Sequence, residues 1–125
     1  MKWGTSAIQP RNDSIPAFTE QDVREYVGRG VSLGRIGVLG QPTITQVVFT
    51  TIRDLGRASG DGSFEANYSA DLPICYVELC GTFCFFGPPG SGAPQWTDNA
   101  TAFILLDART GNHFVTGAPA RARWA

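Results

Sequence analysis

The sequence predicts an α+β domain, with one N-terminal helix packed on a curled antiparallel sheet of four to five strands. Three observations carry this reading. Fifteen glycines and eight prolines in 125 residues demand many turns, which suits a meander better than a helical bundle. One segment, "FTEQDVREYVGRG" (18–30), has the start, period and stop of a helix. Two runs, "TITQVVFTTIRDL" (43–55) and "ICYVELCGTFCFF" (74–86), have the β-branched and aromatic content of strands. A chain of this length makes one domain around one core.

Residues 1–16 contain Pro10, Asn12, Asp13, Ser14 and Pro16 without periodicity and read as an extended arm. In the helix that follows, Thr19 is the N-cap, and Asp22 three residues on supplies the acid of a capping box. Phe18 before the cap and Val23 form the hydrophobic staple. Val23, Tyr26 and Val27 share a face, and Gly28 or Gly30 ends the helix. "GRIGVLG" (34–40) predicts a short strand closed by Gly40 and Pro42. In 43–55, alternation places Ile44, Val48 and Ile52 on one face and Val47 and Phe49 on the other. Residues 56–73 read as a long polar connection and 87–96 as a loop. "ATAFILLDA" (100–108) and "NHFVTG" (112–117) flank "RTG", a tight turn with Gly111 available for positive φ. The folded domain thus spans 17–117, and 118–125 form a C-terminal tail.

Charge and hydropathy exclude two classes of partner. Ten cations against eleven anions, net −1, leave no basic face for nucleic acid. No apolar run approaches the roughly twenty residues that span a bilayer. The start, "MKWGTSAIQP", lacks the apolar stretch of a signal peptide. Three of the four asparagines, Asn12, Asn67 and Asn99, begin N-x-S/T sequons and are candidate glycosylation sites. On the start alone the protein is either cytoplasmic or the mature part of an exported one; the sequons favour a secreted or cell-surface protein whose signal is absent or removed.

The three cysteines, Cys75, Cys80 and Cys84, fall within ten positions. In a regular strand Cys75 and Cys80 point to opposite faces, and Cys80 and Cys84 lie about 13 Å apart. That exceeds the roughly 7 Å Cα separation a disulfide tolerates, so the strand reading predicts buried thiols, whereas a turn at Gly81-Thr82 would allow a pairing. Their spacing, with the single histidine His113 far away, is poor for zinc. A thiol–imidazole pair of Cys84 and His113, oriented by Asp107 or Glu78, is the weaker catalytic alternative. Glu78 within an apolar strand reads either as a solvent-facing residue or as a polar contact in a groove. The glycine runs lack the GK[ST] of a phosphate loop and open no helix. No cofactor and no metal are expected.

The aromatics divide by context. Phe49, Phe83, Phe85 and Phe103 lie on strands and are assigned to the core. Trp3, Trp96 and Trp124 fall outside periodic segments and, with Ile8 of the arm, are candidate interface residues.

At "FILLDARTGNHFVTG" (103–117) the sequence resembles the C-terminal hairpin of PepSY-type domains, on Asp107, Ala108, Thr110 and Gly111. "FTEQDVREYV" stands where that family has its helix, and "PICYVELCGTF" where it has its central strand. The long segments 56–73 and 87–98 and the cysteines depart from the pattern and suit a broader cystatin-like fold. The resemblance implies a small exported bacterial domain with a binding or inhibitory role, including a protease-directed one, and no catalytic residues. The expectation is therefore a non-enzymatic protein-binding module. The alternative is a self-assembling extracellular subunit of a filament or surface layer, a homo-oligomer joined by strand addition through its arm.

Overall fold

The run 74–86 decides the architecture, because it is apolar at both parities. Cys75, Val77, Leu79 and Phe83 are buried on one face, and Ile74 and Tyr76 on the other. A strand of that kind needs cover on both sides. The computed structural model describes residues 5–6, 8–10, 14–34, 36–60, 62–85 and 95–117, with the backbone alone for Thr5, Ser6, Phe85 and Gln95. Its elements are β1 (Thr5–Ser6), α1 (Glu20–Gly28), β2 (Gly37–Thr51), α2 (Ile52–Ser59), α3 (Ser63–Asn67), β3 (Pro73–Phe85), β4 (Gln95–Asp107) and β5 (Asn112–Gly117). The fold is α+β. Four antiparallel strands lie in the order β5-β4-β3-β2, and the two-residue β1 adds to the free side of β5.

Helices lie on both faces, where the sequence pointed to one. On the first face α1 buries Val23 and Val27 against Cys75, Val77, Leu79, Ala102, Ile104 and Leu106. The capping box forms: Asp22 N–H donates to Thr19 Oγ1 at 3.2 Å, and Thr19 N–H to Asp22 Oδ2 at 2.9 Å. Chain reversal after α1 uses Gly30 at φ 99. On the second face Ile52 and Leu55 of α2 pack on Ile74, Tyr76, Phe103 and Leu105, with Phe64 and Tyr68 beside them.

The run 43–55 is therefore not one strand. It ends at Thr51, whose hydroxyl caps α2 by accepting from Asp54 N–H at 3.3 Å. The first two helical N–H groups, of Ile52 and Arg53, donate to the carbonyls of Leu72 and Ala70 at 3.1 and 2.9 Å, so donors a helix leaves free are satisfied by the returning chain. The stretch read as a connection, 56–73, contains the rest of α2 and all of α3. β2 also runs on through Gly40 and Pro42 rather than stopping there. It lies at the sheet's edge, where a proline without an N–H is tolerated. Register shifts between Leu39 and Thr43 and between Ile44 and Gln46 put Ile44 with Val47 on the first face and Val48 on the second.

The described arm residues Thr5, Ser6 and Ile8 contact their own domain. Thr5 and Ser6 pair with His113 and Asn112, and Ile8 is buried in the first-face core. Ile8 is thus a core residue, not an exposed interface candidate. Ile8 N–H donates to the Gly111 carbonyl at 3.2 Å, and Ala17 N–H to the Ala108 carbonyl at 2.8 Å. Arm and β4–β5 turn hold one another.

Gly111 sits at φ 75, and a Cβ there would collide with the Ile8 carbonyl oxygen. Gly111→Val combines left-handed strain with that collision, so it should cost about 2 kcal/mol or more in urea unfolding. Thr110→Ser keeps the hydroxyl that accepts from Asn112 N–H at 3.2 Å and should be near neutral in the same measurement.

Candidate functional site: the Trp96 end of the sheet

The second-face helices cover the end of the sheet near Ile74 and Leu105, and the opposite end carries, among the described residues, the two most exposed large apolar side chains on strands. Between Gly81 and Phe83 the β3–β4 register slips, and Asn99 is the non-glycine residue there with positive φ, 53°. The slip brings Asp98 and Trp96 round to the second face. Thr82 Oγ1 donates to Asp98 Oδ1 at 2.9 Å. Trp96 pairs with Cys84, and Cys84 in turn with Gly37.

The indole reaches across this row. A Cβ on Gly37 would stand 3.0 Å from indole Cη2 and 3.2 Å from Cys84 Cβ. Only a residue without a side chain lets the ring lie that low on β2. Cys84 is consequently buried, while Trp96 keeps 54% exposure. Leu39, opposite Thr82 in the next row, is 65% exposed. The result is a small apolar platform: Trp96 and Leu39 outward, Asp98 and Thr82 beside them. The sequence reading placed Trp96 in a loop; it lies on β4, and its exposure comes from its position beyond the helices. Phe49, assigned to the core, is 37% exposed on the edge strand, tilted against Phe18 with centroids 5.7 Å apart. Trp3 and Trp124 lie outside the described residues.

Between helix-covered and open halves sits a buried carboxylate. Glu78 accepts from Tyr76 O–H at 2.9 Å and from Thr45 O–H at 3.0 Å, and Tyr76 stacks on Phe103 with centroids 5.7 Å apart. Alternation puts Glu78 on the second face, but Tyr76, Thr45 and its register partner Gln46 close over it. Gln46 Oε1 is buried without a hydrogen-bond partner.

His113 bridges helix and sheet instead of serving a thiol. Its Nδ1 lies 3.0 Å from Tyr26 Oη and its Nε2 2.6 Å from Thr116 Oγ1. Each hydroxyl can donate or accept, so either neutral tautomer is satisfied. Cys84 and His113 are not brought together. His113 aligns with Leu106 and hence with Cys75, nine strand positions from Cys84 and roughly 30 Å away at 3.3 Å per residue. Burial pushes the Cys75 thiol up to about 12, which removes its nucleophilic form near neutral pH. The three thiols are free: Cys75 and Cys84 are buried, Cys80 half-buried.

The hairpin residues are structural. Asp107, buried, accepts from Arg109 Nε at 3.1 Å and Nη2 at 2.9 Å, and from the Arg109 backbone N–H at 2.8 Å. Its carbonyl accepts from Gly111 N–H at 2.8 Å, and Ala108 N–H donates to the Pro73 carbonyl at 3.0 Å. Asn67 is exposed but spends its amide on the Ser63 carbonyl at 2.7 Å; Asn99 is exposed at the register slip. Asn12 lies outside the described residues. A shallow depression of about 350 Å³ between α3 and β5 is lined by Ser63, Phe64, Asn67, Tyr68 and Val115. Among the described residues no three His, Cys, Asp or Glu side chains gather as metal ligands, and no helix is long and apolar enough to cross a membrane.

Comparison with protein-family models, curated proteins and solved structures finds no match.

Burial pushes the His113 pKa below its ordinary value. The folded state therefore binds that proton less readily than the unfolded chain, whose histidine titrates near about 6.5. The stabilisation is fully present above about pH 6.5 and is lost as pH falls through that value and below it. Urea midpoints measured from pH 8 to pH 5 should fall for the wild type, and fall less for His113→Gln, which keeps a donor and an acceptor without the titration.

Proposed function

We propose that this chain is a non-catalytic, exported protein-binding module, of the small PepSY-like or cystatin-like kind, whose contact surface is the Trp96–Leu39 platform. The observation that carries this reading is the posture of Trp96. Its ring is seated low on Gly37 and Cys84, so little freedom remains to be lost on binding, and much of its surface is left in water. Rigid aromatic area of that sort is what dominates protein interfaces. Asp98 and Thr82 supply a polar rim.

Three ionisable groups described above support a non-catalytic role, because each of the three is committed to the fold. Asp107 is tied to Arg109, Glu78 to Tyr76 and Thr45, and His113 to Tyr26 and Thr116. The arm residues Thr5, Ser6 and Ile8 are engaged within their own domain. That favours a binding module over a subunit assembled through the arm.

A photo-crosslinking amino acid at Leu39 in the native host tests the proposal. A discrete heterologous adduct is expected, lost on Trp96→Ala and not formed from the same probe at Arg53 on α2. Adducts with copies of the chain alone would favour the self-assembling subunit. Adduct formation that is equal from Arg53, or indifferent to Trp96→Ala, would overturn the platform.

A further inference from the structure

Trp96 and Asp98 stand two positions apart on β4 and share the second face, so their side chains leave the strand roughly 7 Å from one another. Leu39 stands across β3, roughly 10 Å from Asp98 with Thr82 between them. Asp98 is exposed, and its Oδ1 accepts from Thr82 O–H at 2.9 Å. That bond holds the carboxylate to the sheet and leaves Oδ2 without a partner among the described residues. The ion pairs between described residues join Arg24 to Glu20, Arg53 to Asp71, Arg57 to Asp54 and Arg109 to Asp107. None of them neutralises Asp98.

We infer that the platform reads an arginine side chain of its protein partner. The guanidinium pairs with Asp98 and lies against the Trp96 indole, and apolar atoms beside it rest on Leu39. This deepens the contact surface proposed above and rests on it.

The carboxylate decides between the kinds of group that could cover the indole. A purely apolar group would gain area on Trp96 and Leu39, but it would draw Oδ2 out of water with nothing donated in return. An acidic group would meet a like charge. A cation answers both neighbours: the carboxylate receives charge-assisted hydrogen bonds, and the ring attracts a positive group within about 6 Å of its centroid. The spacing of Asp98 from Trp96 along the strand is of that order. Arginine answers them better than lysine. Its planar, weakly hydrated guanidinium stacks on a ring while its edge N–H groups still bond a carboxylate, and its stem supplies apolar area. Trp96, seated on Gly37 and Cys84, and Asp98, held by Thr82, are both placed before the arginine arrives.

The probe is acetyl-Leu-Arg-Leu-amide, titrated at low ionic strength into the full chain while the Trp96 indole N–H is followed by NMR. The control is the same peptide with citrulline, which keeps the shape and loses the charge. The arginine peptide should bind saturably and about fivefold or more tighter than its control, the combined worth of one exposed cation–π contact and one exposed ion pair. Asp98→Asn keeps an oxygen for Thr82 and should erase the preference, with the amide signals of Val77 and Leu79 in β3 unmoved as a check on folding. Equal binding of the two peptides, a preference that survives Asp98→Asn, or no binding of either would overturn the arginine. Failure here is separable from failure of the platform. If the Leu39 adduct forms and depends on Trp96, the platform stands without its arginine. If the arginine preference is found and no adduct forms, the cation site stands and the protein partner is overturned.

Discussion

Burial of β3 on both faces is the constraint on which the rest of the structure depends. Thirteen residues from Pro73 to Phe85 carry apolar side chains at both parities over most of their length, and the backbone must still find partners for every N–H and C=O. A central place in an antiparallel sheet answers the second demand, with β2 and β4 on either side. Helices on both faces answer the first. α1 is amphipathic and serves one face; α2 is short, strongly capped and serves the other.

Among the described residues the helical cover on the second face stops part-way, and the polar residues follow its boundary. Where α2 and α3 reach, the sheet presents Ile74, Tyr76, Phe103 and Leu105. Where they stop, Glu78 is closed in by Tyr76 and Thr45. Beyond it come Thr82, Asp98, Leu39 and Trp96, facing water. The same face of the sheet thus supplies a core, a buried polar seam and an exposed platform in succession. On the far side of the sheet the turn at Asp107–Gly111 plays a comparable joining part. It receives Ile8 and Ala17 of the N-terminal segment by backbone hydrogen bonds, so the domain's start and its last hairpin are stabilised together.

Local signals were legible in the sequence, and signals that depend on tertiary position were not. Thr19 with Asp22 announced α1, and Gly111 announced a turn residue at positive φ, because both motifs are complete within four residues. α2 was hidden by its own start: Ile52 continues a β-branched run in step with the strand alternation. The cap that stops the strand, Thr51 with Asp54, and the left-handed Gly60 were there to be found. Trp96 read as a loop residue since the slip at Asn99 breaks the period of two and Thr97, Asp98 and Asn99 look like turn chemistry. Alternation fixed the face of Glu78 but said nothing about what would cover it. The Tyr26–His113 contact joins residues 87 apart, and no local pattern could have suggested it.

A second helical layer is part of the core, and Leu55 reports on it. Its side chain is fully buried in α2 against the second face of the sheet. Urea unfolding of Leu55→Ala should show a single cooperative transition weakened by about 2–5 kcal/mol, the range for emptying a buried leucine site. A loss within about 0.5 kcal/mol, as for a residue on a surface connection, would contradict a sheet covered on both faces.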